Sequence, residues 1–402
     1  MATRVVDMAR RLTRFAPSRA VRDILELAER PDVISLAGGL PDPEVFDIDR
    51  VRESMDRVLR DEGRAALNYG PNPGFSKLRE WIAQRMGSHE NVAVLPENIL
   101  VASGGVEGLN LTAMALVDPG DTVLVEAPTY MMALHVFRAY EARIVSVPTD
   151  EGGLDTDALE ARLVELSKKG VTPKLIYLNP SFQNPSGRTL SLTRRQQTVA
   201  LCRRHHVTIL EDHAYAELVY DGEPVPSFKS LDPDNVIFVH TFSKIFGPGV
   251  RLGWVAADTE LIDNLGLCKL GTDQCSNTLT QRLVYDYGRN GLIDEQVARS
   301  IALYRAKRDA MQAAMSAHFP EPATWEPARG GFFLWVRLTH DTDTEALLRG
   351  AIEREKTAFV AGSTFFAEGG GADFLRLSFS FVPSDQIDEA IQRLSRAIAA
   401  GR

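Results

Sequence analysis

Cysteine is scarce, with only Cys202, Cys268 and Cys275 in 402 residues. Their spacing suggests neither a disulfide frame nor a zinc site, so no metal is expected and a reducing compartment fits. Long apolar runs are missing too. No stretch approaches the length of a membrane span, and the N-terminus lacks the apolar core of a secretory signal. Nor is there an excess of positive charge: 45 basic residues face 54 acidic ones, a formal balance of −9. That argues against a nucleic-acid or membrane role. No internal repeat or low-complexity segment stands out.

What remains is ordinary globular material, 44% hydrophobic and 25% charged, long enough for one large domain and a smaller one. Six arginines lie between Arg4 and Arg22 against a single acid, Asp7. Such a segment is read as an ordered arm, with an organelle transit peptide as the alternative.

The chemistry concentrates between Glu211 and Trp254. Two apolar, β-branched runs, Val207–Leu210 and Val236–Val239, read as buried strands. Each is followed by a polar cluster, Glu211-Asp212-His213-Ala214-Tyr215 and Thr241-Phe242-Ser243-Lys244 running on to Arg251. In an open α/β sheet, ligands bind at the strands' carboxyl ends. A carboxylate, a phenol, a lysine and an arginine are thus offered to one crevice. Pyridoxal phosphate needs such a set: an amine for its aldehyde, an anion at its ring nitrogen, a donor at its ring oxygen, and cations or amides for its phosphate. Lys244, Asp212 and Tyr215 meet the first three needs, and Ser243 and Arg251 can meet the last.

With its Ser243-Lys244-(x)3-Pro248-Gly249-x-Arg251-x-Gly253 pattern, the chain resembles the fold-type I aminotransferases of the aspartate aminotransferase superfamily. Within them it is similar to the α-aminoadipate and kynurenine aminotransferase II group, over essentially its whole length. The resemblance implies an α/β fold: a three-layer α/β/α large domain with a mostly parallel seven-stranded sheet, plus a smaller α+β domain. It divides the chain into an arm (1–45) covering the active site and packing with the small domain, a cofactor domain (46–298) and a small domain (299–402).

Other segments gain meaning beside it. Ser103-Gly104-Gly105 follows a strand and opens a helix, the arrangement in which backbone amides and the helix end bind an anion. The family usually shows Gly-Ser-Gln-Gln where this chain has Gly104-Gly105-Val106-Glu107, so Glu107 is expected to point away from the phosphate or to pair with a cation. Asn184, held extended before Pro185, is expected to donate to the ring oxygen beside Tyr215. Tyr130, at a strand's carboxyl end, is placed to stack on the ring. Thr241 is assigned to the cofactor with Ser243. His213 is read as packing, or else as a residue tuning Asp212. Gly39 is implied at the substrate carboxylate and Arg22 at an acidic substrate side chain. Tyr69 is implied to cross a homodimer interface to the neighbour's phosphate. Segment 271–277 is implied to lie near the partner's pocket. The run 374–381 reads as one strand, with Leu375, Leu377, Phe379 and Phe381 on one face and Arg376, Ser378 and Ser380 on the other. On the residues alone Arg376 is a surface arginine; the resemblance makes it the grip on the substrate α-carboxylate.

The expected activity is pyridoxal-phosphate-dependent transamination between an L-amino acid and a 2-oxo acid, carried by Lys244, Asp212 and Tyr215. One pair is expected to be glutamate and 2-oxoglutarate; the other is α-aminoadipate-like, aromatic or branched-chain. A β-lyase, cyclase or oxidative reaction on the same cofactor is the alternative, and a non-catalytic sensor is disfavoured by the intact residue set. The expected location is cytoplasmic, with small molecules and a second copy of the chain as partners and neither nucleic acid nor membrane.

Overall fold

The structure, a computed structural model of the chain, describes residue 26 and residues 30–339 and 341–400. Runs of aliphatic and β-branched residues form the strands, and the central ones of the main sheet are buried on both faces, as parallel sheets require. The strands are β1 (Ile34–Ser35), β2 (Ile99–Ala102), β3 (Thr122–Ala127), β4 (Arg143–Asp150), β5 (Gly153–Leu154), β6 (Leu175–Leu178) and β7 (Thr208–Asp212). They continue with β8 (Val236–Thr241), β9 (Gly253–Ala256), β10 (Thr324–Trp325), β11 (Phe333–Arg337), β12 (Thr357–Ala358), β13 (Val360–Ala361) and β14 (Phe374–Ser378).

The main sheet has the order β2-β9-β8-β7-β6-β3-β4-β5. Pairing is parallel from β4 through β3, β6 and β7 to β8, and β9 runs against both its neighbours. Alternate residues face opposite helix layers, which is why both sides are apolar. Val123 and Val125 pack with Leu109, Phe137 and Leu265 from one layer. Leu124, Ile176 and Ile209 pack with Leu159, Leu163 and Val199 from the other. Each fully buried leucine or valine contributes about 2 kcal/mol relative to exposure, so these layers fix the sheet's register. The chain leaves β3 towards β4 on one side and reaches β6, β7 and β8 on the other, so the crevice opens at the carboxyl ends of these strands.

A second sheet, β10-β11-β14-β13, is antiparallel. β1 pairs in parallel with β12, Ile34 opposite Thr357. The large mostly parallel sheet and smaller sheet match the expected class, with two differences. The main sheet carries an eighth strand, β5, two residues that fold back on β4 after a turn over 151–152 and open on Gly153 at φ +93°. So short a strand has no periodicity to read. The run expected as a strand to Phe381 ends at Ser378, because β11 supplies its last partner there, Phe333. Phe381 is consequently 41% exposed rather than on the buried face, while Arg376, Ser378 and Ser380 are buried.

Candidate active site

The loops after β3, β6, β7 and β8 meet around a cavity of about 280 Å³. Lys244 reaches it from the turn after β8. Its Nζ donates to Gly39 O at 2.7 Å and stands 5.3 Å and 5.6 Å from the ring centres of Phe332 and Tyr215. Burial, then the nearby charges of Arg376 and Arg251, pull its pKa down to about 8, against the opposing pull of Asp212. Its neutral fraction near neutral pH is therefore far larger than that of a solvated lysine, while the ammonium still predominates below that value. Gly39 has room for no side chain: a Cβ there would lie 2.8 Å from Phe333 Cζ.

Asp212 ends β7 with its carboxylate buried in the same cavity. Burial raises its pKa, partly offset by the hydrogen bond that Tyr177 Oη donates to Oδ2 at 2.8 Å. Its backbone is fixed as well. Asn179 Nδ2 donates to Asp212 O at 2.6 Å, and Asn179 Oδ1 accepts from Asn184 N at 2.9 Å. One side chain thus ties the loop after β6 to the loop after β7. Asn184 in turn favours the ionised form of the Tyr215 hydroxyl. Burial pushes both phenols up, Tyr130 to about 12 and Tyr215 well above the ordinary range.

Arg376 enters from β14, flanked by Trp335 and Val360 on the neighbouring strands. Its Nη1 donates to Asn184 Oδ1 at 2.7 Å and its Nη2 to Ala37 O at 2.6 Å. The guanidinium lies 4.2 Å from the Phe333 ring centre. Its Nε is buried and has no hydrogen-bond partner among the described residues. A buried donor left unpaired is costly, and an arriving carboxylate is the group that satisfies it.

At the far end, Gly104 takes φ +103° ahead of helix Gly105–Leu116. A Cβ there would lie 2.7 Å from Arg251 Nη2, so glycine is required by both the backbone and the arginine. Thr241 Oγ1 donates to Ser243 Oγ at 2.9 Å beside this turn. Helix amides, two hydroxyls and a guanidinium together suit a phosphate. With an amine, a buried carboxylate and an unpaired arginine donor at the other end, the cavity fits pyridoxal phosphate and an amino-acid carboxylate.

Of the residues singled out from sequence, Gly39, Gly105, Tyr130, Asn184, Asp212 and Tyr215 line the cavity, as do Thr241, Ser243, Lys244, Arg251 and Arg376. Ser103 and Gly104 lie just behind the lining. Tyr69 is 83% exposed and away from this cavity. Arg22 lies outside the described residues. Glu107 pairs with a cation as expected: Lys269 Nζ is 2.9 Å from its Oε2. His213 is more than packing. Burial opposes its charge, but Glu90 at 2.8 Å and Glu211 at 3.5 Å raise its pKa to about 10. Tyr177 and Asn179 were not singled out. A tyrosine within a strand gives no sign of which face it serves, and the only hint for Asn179 is its place at a strand end before Pro180.

The model of the aminotransferase class I and II family matches residues 31–394. An aromatic-amino-acid aminotransferase of Thermococcus litoralis is 38% identical over 94% of this chain and 91% of its own. The crystal structure of a Pyrococcus horikoshii kynurenine aminotransferase, solved with pyridoxamine phosphate, is 35% identical with a TM-score of 0.91, covering 95% of this chain and 94% of that one. That of a Thermus thermophilus α-aminoadipate aminotransferase, complexed with N-(5'-phosphopyridoxyl)-L-leucine, is 35% identical with a TM-score of 0.90, covering 98% and 97%. The chain therefore belongs to the class I and II aminotransferases, as a pyridoxal-phosphate-dependent enzyme that moves an amino group between an amino acid and a 2-oxo acid.

Proposed function

We propose that Lys244 is the catalytic base of this transamination, that Arg376 grips the substrate carboxylate, and that Asp212 sustains the cofactor's positive ring. The observation that carries this reading is the convergence of all three on one cavity. When bound, pyridoxal phosphate supplies an aldehyde and an electron-withdrawing ring. The chain's own groups do the rest. Asp212, held by Tyr177, offers a buried anion to the ring nitrogen. Asn184 and Tyr215 present donors to the ring oxygen, and Tyr130 presents an aromatic face. Gly104, Gly105, Thr241, Ser243 and Arg251 hold the phosphate, with Ser103 shaping the turn. Arg376, already oriented by Asn184 and Ala37, aligns the amino acid so that its Cα–H faces Lys244 Nζ. The neutral amine would then take that proton and return it to the carbon on the other side of the amino nitrogen, as general base and then general acid.

Leu40, Val106, Met131 and Phe333 give the cavity an apolar wall. This supports aromatic or branched-chain donors; an α-aminoadipate-like donor, with Arg22 as the partner of its acidic side chain, is the other reading, and glutamate and 2-oxoglutarate are the second pair. The exposed Leu67 and Tyr69 support a homodimer in which Tyr69 serves the neighbour's phosphate. The two sheets support an arm to residue 45, a cofactor domain to 298 and a small domain beyond. Among the described residues no helix is long and apolar enough to cross a membrane, and we assign the enzyme to the cytoplasm. The test is a panel of amino acids mixed singly with the holoenzyme in the absence of acceptor. Stoichiometric release of the matching 2-oxo acid is expected, abolished in Lys244→Ala; release of ammonia in its place would refute transamination.

A further inference from the structure

Behind the glycine turn lies a partly buried ion cluster drawn from two segments far apart in sequence. Lys269, at the end of helix Thr259–Leu270, is fully buried. Its Nζ is 2.9 Å from Glu107 Oε2 and 2.7 Å from Asp273 Oδ1. Both carboxylates bind Ser103, the residue that opens the turn. Glu107 accepts its backbone N–H, and Asp273 Oδ2 accepts its hydroxyl at 2.6 Å. Thr272 Oγ1 donates to Glu107 Oε1 at 3.3 Å. Ser103 thus has neither donor free for a phosphate, and its carbonyl accepts from Arg251 Nη2 at 3.2 Å.

Two carboxylates against the first turn of an anion-binding helix oppose the ligand that the turn is built for. They repel a phosphate and cancel part of the positive helix end. Glu107 and Asp273 keep 13% and 30% of their side-chain surfaces exposed, so solvent ions screen them only in part. Lys269 is the cation that both carboxylates contact. We propose that Lys269 is a positioning residue for the cofactor's phosphate, neutralising Glu107 and Asp273 so that they can hold Ser103 without driving the anion away. This inference rests on the reading of Gly104, Gly105 and Arg251 as the phosphate site.

Lys269 touches no cofactor atom in this scheme, so its effect must depend on the ligand's charge. Holoenzymes of the parent, Lys269→Met, Glu107→Gln, the Lys269→Met/Glu107→Gln pair and Arg251→Gln are dialysed against graded pyridoxal phosphate and, separately, graded pyridoxal, with bound ligand read by absorbance. Lys269→Met should weaken pyridoxal phosphate about tenfold and leave pyridoxal within about twofold, as expected for one uncompensated charge near the anion. The double variant should recover most of the loss, and Glu107→Gln alone should tighten pyridoxal phosphate without altering pyridoxal. Equal weakening of both ligands by Lys269→Met, or of neither, overturns the proposal. Should Lys269→Met fail to fold, Glu107→Gln decides, and no tightening refutes it. Arg251→Gln separates the two readings. If it leaves the preference for the phosphorylated ligand intact, the phosphate site itself is misassigned; if it alone removes that preference, only the role of Lys269 falls.

Discussion

Lys244 sits where burial and two neighbouring cations favour its neutral form and a single carboxylate opposes them. The half-reaction rate is accordingly expected to rise with pH as the amine loses its proton, and to level off above a midpoint near 8. A stopped-flow pH profile with a saturating amino acid checks this; a limb still climbing above pH 10 would show that the pocket does not set the proton affinity. His213 gives the opposite pH signature. Its folded pKa of about 10 exceeds the ordinary 6.5, so folding favours the imidazolium and its stabilisation is complete below that ordinary value. The benefit is lost as pH rises through the folded value. His213→Gln should therefore cost about 3 kcal/mol near pH 6, as for breaking a buried pair. The gap from the parent should shrink towards pH 10 in melts recorded across the range. Residues like these differ in how far sequence exposes them. Lys244 and Asp212 are legible because each follows a β-branched run and so falls at a strand's carboxyl end. The charge on His213 is not, since Glu90 is 123 positions away and only folding brings it near.

Strands place the site's backbone closely enough that a single methyl group matters. Gly253 opens β9, and a Cβ there would lie 2.6 Å from His240 O and 2.9 Å from Gly104 C. Neither contact is a flexible side-chain end. Gly253→Ala is expected to destabilise by at least the ~1–3 kcal/mol typical of overpacking and to loosen the glycine turn at once. Thermal melts and cofactor retention should thus fall together; loss of one without the other would show that the two strands are not coupled. Most elements were readable from periodicity, because alternate residues of one strand face two apolar layers. What escaped was set by partners. β5 exists because β4 is beside it, and β14 stops where β11 begins.

At the level of the whole molecule, Tyr69 tests the assembly. If it serves a neighbouring site, mixing inactive Tyr69→Ala with inactive Lys244→Ala should generate mixed dimers with one intact site each, recovering up to about a quarter of parental activity in an equal mixture with statistical pairing. If Tyr69 serves its own chain, the mixed dimer holds two damaged sites and nothing returns. Measuring activity against mixing ratio distinguishes the two.

The glycine turn leaves β2 and its guanidinium partner precedes β9, strands that are adjacent in space but separated by most of the sheet in sequence. A growing polypeptide on the ribosome has therefore made every other strand of that layer before the two halves of its anion receptor can meet. Vitamin capture comes late, so it cannot guide early folding but does report that the sheet has closed.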